Sequence, residues 1–575
     1  LSAEYDYKHE KMLRAFNTLY AEYEIIKNLK FKTTFSYDYT TVKGEKWYDP
    51  RTSNGEDENG EVVKRIREYK KMVWSNTLSY LTTFNNIHHL DFLAGYEIDD
   101  TYNDYLSGEA YNFTTPDKHA ISNGMKTVSV GGSDSRYRLV SYLSRLNYDY
   151  KNKYYLGASF RVDGSSRLHR DNRWGTFWSV SGAWRTIEEE FMQPVKDWLT
   201  DLRIRASYGV NGTLPSDYFG YMGLSSISGG YLEQPGIQMS QIANPNLKWE
   251  TNYNMNIGLD FGFWDRLNFT IEYYTRTTKN LLMDCPVSMT TGFSSYLMNI
   301  GEVKNKGIEL TINSTNIKIK DFNWNTTFNL GHNSNKVVKL DGEQTQIVSG
   351  TQIHKVGSSY RTFYVQEFAG INPETGNPLF YTNELDENGN YIKEITENSK
   401  NAQFIPYKHA EPTVNGGISN SLRYKWLDLN FLFSYQFGGY SYDTWAQKTE
   451  HGGYDSYANI PTYYRDSWKK PGDQTNIEVY MPGKSSSVSM HKITSSRRIH
   501  STDYFRLKNI TFGITLPKEW TNKINIGNVR FYASASNLWT WAAYDNYDPE
   551  AVSAGSATQT TPPLKTVTFG LNINF

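Results

Sequence analysis

Residues 566–575 have the sequence TVTFGLNINF, in which apolar side chains alternate with small or polar ones. The apolar positions include Val567, Phe569, Leu571 and Ile573. Because successive side chains of a β-strand point to opposite faces, this segment has one apolar and one polar face. The same alternation recurs at 267–273 and 427–437. We therefore predict a protein built mainly from two-faced antiparallel strands.

The composition of the 575-residue chain favours a sheet in a membrane over a soluble core. Aromatic residues make up 15% of the chain, with 45 Tyr and 15 Trp, whereas hydrophobic residues reach only 38% and mean hydropathy is -0.63. A transmembrane β-barrel needs apolar residues only at alternate positions, a polar lumen, and Tyr and Trp girdles at both interfaces. No run of about 18 apolar residues occurs, so the sequence predicts no transmembrane helix.

Strand length and the alternation of short and long connections indicate a bacterial outer-membrane barrel. Short turns such as Asn152–Lys153 alternate with long links at 107–135, 212–246, 339–412 and 442–502, and outer-membrane barrels have short periplasmic turns and long extracellular loops. On the short side, residues 188–200 are predicted to form a brief helical turn. We predict about 17 strands: 9–26, 28–46, 66–84, 88–106, 136–150, 153–163, 174–187, 201–211, 247–263, 266–282, 303–319, 322–338, 413–425, 427–441, 503–517, 529–544 and 566–575.

Residues 1–575 are thus predicted to be the C-terminal portion of an all-β transmembrane antiparallel barrel. Such barrels have even strand numbers and both termini in the periplasm, so an odd count places residue 1 in an extracellular loop. No signal peptide is visible, which also predicts that the true N-terminus lies outside this sequence. Because open sheet edges cannot face hydrocarbon, we expect a further segment to pair with 9–26 and 566–575.

Several segments, taken together, resemble the SusC/RagA family of TonB-dependent outer-membrane transporters. They are SRLNYDYKNKYY at 144–155, FRVDGSSR at 160–167, RWGTFWSVS at 173–181, LRIRASYG at 202–209, NLKWET at 246–251, NIGEVKNKGIE at 299–309 and TVTFGL at 566–571. Their order and spacing cover residues from about 140 to 575, whereas residues 1–135 fit as earlier strands with weaker motifs.

The resemblance implies a 22-stranded barrel with an N-terminal plug domain, a TonB box and a capping lipoprotein of SusD type. It implies active import of an oligosaccharide or an oligopeptide across the outer membrane of a Gram-negative bacterium. The loops 339–412 and 442–502 would then contact the SusD-like lipoprotein and help to enclose the substrate. The sequence departs from the family pattern because it contains neither a plug motif nor a TonB box, so TonB would act through an N-terminal part absent here.

Other functions have weaker support. A net charge of -1 gives no broad basic field for nucleic acid, and the single Cys285 excludes an intramolecular disulfide framework and a four-cysteine zinc site. No nucleophile elbow, zinc-protease motif or phosphate-binding loop occurs, so we predict no enzymatic activity. A passive porin and a barrel-borne surface adhesin remain alternatives. The N-terminal half of the intact chain would distinguish these from an importer.

One long loop contains a cluster of aromatic residues: Trp445, Tyr454, Tyr457, Tyr463, Tyr464 and Trp468. Aromatic faces suit stacking on sugars or holding apolar side chains of a peptide. The alternative is that these rings pack the loop or meet the cap protein. A second aromatic group near strand ends is predicted to form an interfacial girdle: Tyr504, Trp520, Trp539, Trp541 and Tyr544.

Phe575 is a C-terminal aromatic residue that ends an alternating strand, which resembles the recognition signal of the barrel-assembly machinery. It is equally suited to facing lipid as part of the last strand. The acidic turns 56–61 and 386–390 could hold Ca²⁺ through flexible carboxylates. Neither turn has EF-hand spacing, and solvated turns are the preferred interpretation. The sequence predicts no other cofactor.

Overall fold

The structure is a computed structural model that describes residues 2–231, 234–340, 345–454, 459–483, 490–524, 526–558 and 560–574. Strands dominate it. The first sixteen are β1 Tyr7–Ile26, β2 Leu29–Tyr48, β3 Glu61–Phe84, β4 His88–Phe113, β5 Gly124–Tyr150, β6 Tyr154–Ser165, β7 Trp174–Trp184, β8 Leu199–Thr213, β9 Leu224–Tyr231, β10 Gln234–Gln241, β11 Glu250–Phe263, β12 Leu267–Lys279, β13 Leu282–Pro286, β14 Ser295–Asn299, β15 Glu302–Lys318 and β16 Phe322–Lys339.

The remaining strands include a series of very short ones. They are β17 Gln346–Ser349, β18 Gln352–Lys355, β19 Thr362–Gln366, β20 Phe368–Ile371, β21 Pro378–Tyr381, β22 Glu384–Leu385, β23 Tyr391–Ile392, β24 Ile395–Thr396, β25 Phe404–His409, β26 Val414–Tyr424, β27 Leu427–Phe437, β28 Tyr440–Asp443, β29 Ile499–Ser501, β30 Tyr504–Thr515, β31 Asn528–Ala542, β32 Ser556–Ala557 and β33 Thr566–Asn574.

The helices are short. The α-helices are α1 Ser2–Tyr5, α2 Thr444–Thr449 and α3 Lys518–Thr521, and 3-10 turns occur at Ile121–Asn123, Thr186–Glu188, Glu190–Val195, Met289–Thr291, Ser399–Asn401, Thr462–Asp466, Met490–Lys492, Ser496–Arg498, Asn522–Ile524 and Pro549–Ala551. The turns within 188–200 confirm the helical element predicted there. Across the described ranges, every helix is too short or too polar to cross a membrane.

All seventeen predicted strands are present, as β1–β8, β11, β12, β15, β16, β26, β27, β30, β31 and β33. The all-β antiparallel prediction is therefore confirmed. The predicted loop 107–135 is wrong, because β4 and β5 continue as one long hairpin and leave only residues 114–123 between them. Cross-strand pairing runs from His88–Tyr150 to Phe113–Gly124, so backbone hydrogen bonds stabilise this arm along its whole length.

The chain divides into two compact units. The first unit comprises 1–184, 207–253 and 280–299, and the second comprises 185–206, 254–279 and 300–575. In the first unit, strands β1 to β7 pair antiparallel in sequence order. In the second unit, β12, β15, β16, β26, β27, β30, β31 and β33 pair antiparallel in that order.

The turn at 56–61 lies at the tip of the β2–β3 hairpin. Tyr48 at the end of β2 pairs with Glu61 at the start of β3. Asn59 and Gly60 both have positive φ, which the turn requires and which glycine adopts without steric cost. A buried cluster of Trp47, Val62, Ala110 and Phe113 packs beneath this tip.

The strands bury polar side chains and expose apolar ones, which inverts the arrangement of a soluble sheet. In β6 the rings of Tyr154 and Phe160 are exposed, whereas Asp163 is buried. In β11 the side chain of Leu259 is exposed and its neighbour Asp260 is 6% exposed. Exposed apolar surface on this scale indicates contact with another apolar phase, which for a barrel strand is lipid.

Ion pairs satisfy the charges on the buried polar face. In the second unit, the carboxylate of Asp260 forms salt bridges with the guanidinium groups of Arg203 at 2.8 Å and Arg205 at 3.1 Å. It also accepts a hydrogen bond from the hydroxyl of Thr270 at 2.8 Å. The carboxylate of Asp428 pairs with the Arg530 guanidinium at 2.6 Å in the same way. Because buried charges are costly unless paired, these contacts make a charged face compatible with a stable wall.

Two strands have one paired edge each within the described residues. In its unit, β1 pairs with β2 alone, and its adjacent side chains Met12 and Leu13 are 70% and 63% exposed. Likewise β33 pairs with β31 alone in its own unit. The β33 side chains Val567, Phe569, Leu571 and Ile573 are exposed, but so are Thr568, Asn572 and Asn574 on the other face, so the lipid-facing position of the apolar set stays a prediction. That a further segment completes these edges stays a prediction.

Candidate functional site

The long connections of the second unit fold into small sheets, which the sequence analysis had treated as loops. Within 339–412, β17, β18, β19 and β25 form one sheet, and β20, β21 and β24 form another. In the later connection, β28 pairs antiparallel with β29 and parallel with β32. Two apolar clusters hold these sheets: Phe363, Val365, Tyr442 and Ile499, and Phe380, Ala402, Met490 and Ile493. The connections are therefore packed structures and can position side chains.

A cavity of about 610 Å³ lies beside β28 and the chain that follows β31. It has the size of a pocket for a small ligand or for part of a larger one. Three aromatic side chains line it, namely Trp445, Trp541 and Tyr547. Its polar lining consists of Asp443, Arg506, Thr540, Asp545, Asn546, Asp548, Thr558 and Thr560. This combination of flat apolar rings with hydroxyl, amide and carboxylate groups suits a polar organic ligand.

A second cavity of about 290 Å³ is lined by some of the same residues. Asp443, Trp445 and Asn546 line both cavities, so the two spaces share one wall. The ring of Tyr463 and the chain at 459–461 line the smaller space. Two adjacent spaces with a shared aromatic wall fit an elongated ligand better than a single compact one.

Asp443 organises this wall. One of its carboxylate oxygens accepts the backbone N–H of Ala446 at 2.8 Å and so caps α2, which carries Trp445. The other oxygen accepts the hydroxyl of Tyr544 at 3.1 Å. The Tyr544 ring in turn stacks on His500, with 3.7 Å between ring centroids and an angle of 3°. The cap and the stack fix the position of Trp445 relative to the floor of the cavity.

Burial shifts the acidity of the groups around Asp443. It raises the pKa of Tyr544, and it raises the pKa of Tyr547 to about 12. Both phenols are therefore protonated at neutral pH, and Tyr547 shares a hydrogen bond with the hydroxyl of Ser441. Burial also lowers the pKa of His500, so its imidazole is neutral at pH 7.

Arg506 carries the positive charge of the larger cavity and is only 2% exposed. Its guanidinium pairs with Asp548 at 2.5 Å and also with Glu550. The carboxylate of Glu550 also forms a salt bridge with the ammonium of Lys508 at 2.6 Å and accepts a hydrogen bond from the hydroxyl of Tyr504 at 3.1 Å. These carboxylates neutralise Arg506, and the network fastens segment 545–550 to the beginning of β30. Asp545 is exposed, and the described residues offer its carboxylate no salt bridge.

The structure brings together only part of the predicted aromatic cluster. Trp445 lines both cavities and Tyr463 lines the smaller one, where its hydroxyl donates to Glu450. Tyr464 is buried in the loop, and the indole N–H of Trp468 donates to the carbonyl of Pro373 at 2.7 Å. For these two residues the packing interpretation fits the geometry.

The remaining site predictions concern Tyr454, Tyr457 and Phe575. Tyr454 lies at the surface, where the ammonium of Lys492 sits 5.1 Å from its ring centre. Tyr457 and Phe575 lie outside the described residues. A ligand or assembly role for any of these residues stays a prediction.

Two of the five predicted girdle residues are placed differently. Tyr504 is buried and Tyr544 stacks on His500, so the girdle prediction is wrong for both. The reason is that each ring has a specific polar partner inside the loop assembly. Trp520, Trp539 and Trp541 are exposed, and Trp541 also lines the larger cavity, so a girdle position for these three stays a prediction.

Sequence reasoning missed the segment that contributes most to the larger cavity. Residues 539–548, which comprise the end of β31 and the chain that follows it, carry Trp, Tyr, Asn and Asp side chains at high density. Such a run of rings and polar groups at a strand end could have identified the site, but it was assigned to an interface.

The acidic turn 386–390 is closed by hydrogen bonds. The carboxylate of Asp386 accepts the backbone N–H groups of Asn390 at 2.8 Å and Asn388 at 2.9 Å. These hydrogen bonds hold the pKa of Asp386 below its ordinary value. Over the described ranges, no three His, Cys, Asp or Glu side chains converge as a metal site would require. Calcium binding in these loops stays a prediction.

Comparison with known proteins defines the family. Residues 2–384, more than half of the chain, match the family model described as TonB dependent receptor-like, beta-barrel. The chain belongs to this family. TonB-dependent receptor P3 of Formosa agariphila is 32% identical over 587 residues, which cover 97% of this chain and 57% of the relative. TonB-dependent receptor SusC of Bacteroides thetaiotaomicron is 29% identical over 541 residues, which cover 90% and 51%.

A solved structure of the RagAB peptide transporter is similar to this barrel chain throughout. The TM-score is 0.89 at 26% sequence identity, and the match covers 100% of this chain and 63% of the other. The resemblance to the SusC/RagA family is thereby confirmed. The receptor chain spans just over half the length of the curated relatives it matches.

Proposed function

We propose that the protein imports a large nutrient across the outer membrane of a Gram-negative bacterium, with energy supplied through TonB. The nutrient is an oligosaccharide or an oligopeptide that occupies the two adjoining cavities beside Trp445. This proposal rests on one observation: a chain of the TonB-dependent receptor family contains two adjoining cavities lined by aromatic side chains. The alternatives of a passive porin and of a surface adhesin would not require such a site.

The similarity to SusC and to the RagAB peptide transporter supports both substrate classes. In the larger cavity, Trp445 and Trp541 offer flat faces that suit either a sugar ring or an apolar side chain. The hydroxyl groups of Thr540 and Thr558 and the amide of Asn546 can exchange hydrogen bonds with sugar hydroxyls or with peptide groups.

Growth of a deletion strain on single defined oligosaccharides or peptides tests the proposal. We expect growth to fail on one class of nutrient and to return with the wild-type gene. Complementation with Trp445→Ala should restore growth poorly, whereas the matched control Trp520→Ala, which alters an exposed ring on α3, should restore it fully. Normal growth of the deletion strain on every oligomer would contradict an import function.

Energy coupling and passive diffusion make different predictions in the same strain. If the protein is TonB-dependent, uptake of the identified oligomer stops when TonB is deleted or the proton gradient is dissipated. A passive porin would continue to equilibrate the oligomer under both conditions. Persistent uptake in either case would remove TonB from the proposal.

We also propose that a SusD-like lipoprotein contacts the folded connections 339–412 and 442–502. The β22–β23 hairpin and the strand β24 after it expose apolar side chains, including Leu385 at 62% and Ile395 at 58%. Exposed apolar residues on a loop are a feature of protein interfaces. In the second connection, Tyr480 and Met481 are exposed as well.

Purification of the full-length protein from its native membrane tests this partner. We expect a lipoprotein to co-purify, and a Leu385→Ser, Ile395→Ser double variant to lose it. Ile319→Ser is the matched control, because Ile319 is 66% exposed in the turn between β15 and β16. A protein that purifies alone, or a double variant that keeps its partner, would contradict the proposed surface.

A further inference from the structure

A separate cavity of about 480 Å³ lies in the first unit, on the strands β2 to β5. Strand register brings its lining together. Arg67 of β3 stands opposite Val42 of β2 and Tyr105 of β4, and Tyr105 stands opposite Ser133 of β5. Two residues away on each strand, the next side chains on the same face are Thr40 of β2, Tyr69 of β3, Asn103 of β4 and Ser135 of β5. The cavity is therefore formed by one face of four neighbouring strands.

The cavity lies on the face of the sheet opposite to the one that carries Ile66 and Leu106. Ile66 and Leu106, the sequence neighbours of Arg67 and Tyr105, are 40% and 53% exposed. Because alternate strand residues point to opposite faces, the cavity side chains stand on the other side of the sheet from Ile66 and Leu106. Its lining is rich in hydrogen-bond donors, which include a guanidinium, two phenols, an amide and two serine hydroxyls.

Glu68 and Asp104 also border the cavity but do not neutralise it. Alternation directs both side chains to the opposite face. There, the carboxylate of Glu68 accepts the hydroxyl of Tyr39 at 2.9 Å and the ammonium of Lys70 at 2.8 Å.

Two arginines on this face lack an acidic partner. Arg67 lies 5.3 Å from the ring centre of Tyr105, and Arg65 is two residues earlier on the same face. Within the part of the chain that the structure describes, neither guanidinium forms a salt bridge. Three arginines on β5 and β6 are paired, since Arg136 and Arg138 bind Asp100 and Arg161 binds Asp163. Arg167 of the same unit forms no salt bridge among the described residues either, but its guanidinium donates to the carbonyl of Pro215 and lies over the ring of Tyr137. The two unpaired charges lie beside a cavity that offers mainly donors.

We propose that this cavity binds an anionic group, a carboxylate of the imported oligomer, through Arg67 with support from Arg65. A guanidinium offers parallel N–H donors that match both oxygens of a carboxylate. The hydroxyls of Tyr69, Tyr105 and Ser133 can donate further hydrogen bonds to the bound carboxylate. The carboxylate belongs either to an acidic sugar or to a peptide. Its biological role depends on the proposed import function, but binding itself does not.

Calorimetric titration of the full-length protein in detergent tests the site. The probes are a uronic acid trisaccharide with its neutral hexose counterpart, and an acidic hexapeptide with its amide-substituted counterpart. We expect one anionic probe to bind at least about tenfold more tightly than its neutral counterpart. A preference for the anionic member of the sugar pair would assign the carboxylate to an acidic sugar, and a preference within the peptide pair would assign it to a peptide. Equal binding of both members in both pairs would overturn the proposal.

Variants separate the site from general charge effects. Arg67→Gln should remove the preference for the anionic probe and its dependence on salt, and Arg67→Lys should restore part of it as a point charge. The matched control is Arg136→Gln, because Arg136 stands on β5, another strand that borders the cavity, and is paired with Asp100. An unchanged preference in Arg67→Gln, or an equal loss in Arg136→Gln, would contradict the assignment. Failure of cellular uptake with anion binding intact would refute the import function alone.

Discussion

Arg506 of the second unit and Arg67 of the first both line a cavity, but their surroundings are opposite. Arg506 is almost fully buried and pairs with the carboxylates of Asp548 and Glu550, whereas Arg67 is exposed and pairs with none among the described residues. A neutralised buried arginine holds structure together, because removing it would leave uncompensated charges. An arginine without an acidic partner keeps its donors for a ligand. An arginine therefore stabilises the fold in the cavity of Arg506, whereas in the cavity of Arg67 it is available to bind a ligand.

The largest expected effect comes from removing the paired arginine. Arg506→Gln leaves Asp548 and Glu550 without their main counter-charge, which costs about 3–5 kcal/mol for a buried ion pair. We expect segment 545–557 to exchange its amide hydrogens much faster, measured by hydrogen-exchange mass spectrometry on the full-length protein. Arg67→Gln is the contrasting variant and should leave exchange throughout β3 unchanged. Equal effects of the two variants would break the comparison.

Trp445 should show the next largest effect. Its ring lines both loop cavities, so Trp445→Ala removes a shared wall and should weaken binding of the imported oligomer by about tenfold. Titration of the identified oligomer into the purified protein measures this change. Trp520→Ala should bind like the wild type. If the two alanine variants bind alike, the cavities beside Trp445 are not where the oligomer binds.

His500 should give the loop assembly a small pH dependence. Burial holds the pKa of this imidazole below its ordinary 6.5, so the unfolded state binds the proton more readily than the folded one. Stability is therefore present above pH 6.5 and is lost as the pH falls below it, by at most about 1.4 kcal/mol per pH unit. Proteolysis rates of the second unit between pH 7 and pH 5 measure this. His500→Phe should keep the ring stack on Tyr544 and lose that dependence; a slope that survives would assign it to other groups.

The strands could be predicted from sequence because each carries its own evidence. The alternation in 566–575 requires one apolar and one polar face, whatever the rest of the chain does. The arm formed by β4 and β5 was partly missed because polar residues dominate both of its faces beyond Leu106, so periodicity no longer marks the strand. Strands as short as β22 and β32 have two residues each and show no period at all.

The candidate sites depend on contacts that sequence spacing does not reveal. Arg506 and Asp548 are separated by 42 residues and meet only because β31 returns the chain to β30. Trp445 could be singled out as an aromatic residue in a long loop, but Trp541, which lines the same cavity, lies at the end of strand β31. That Arg67 has no acidic partner among the described residues can be recognised only once the register of β2 to β5 shows which side chains surround it.

The most direct test of the account is a cryo-electron microscopy map of the full-length protein, purified from its native membrane together with the imported oligomer. The account predicts elongated density in the two cavities that share Trp445, with one flat unit of the ligand against Trp445 or Trp541. Density for the oligomer elsewhere in the barrel, with these cavities empty, would contradict it.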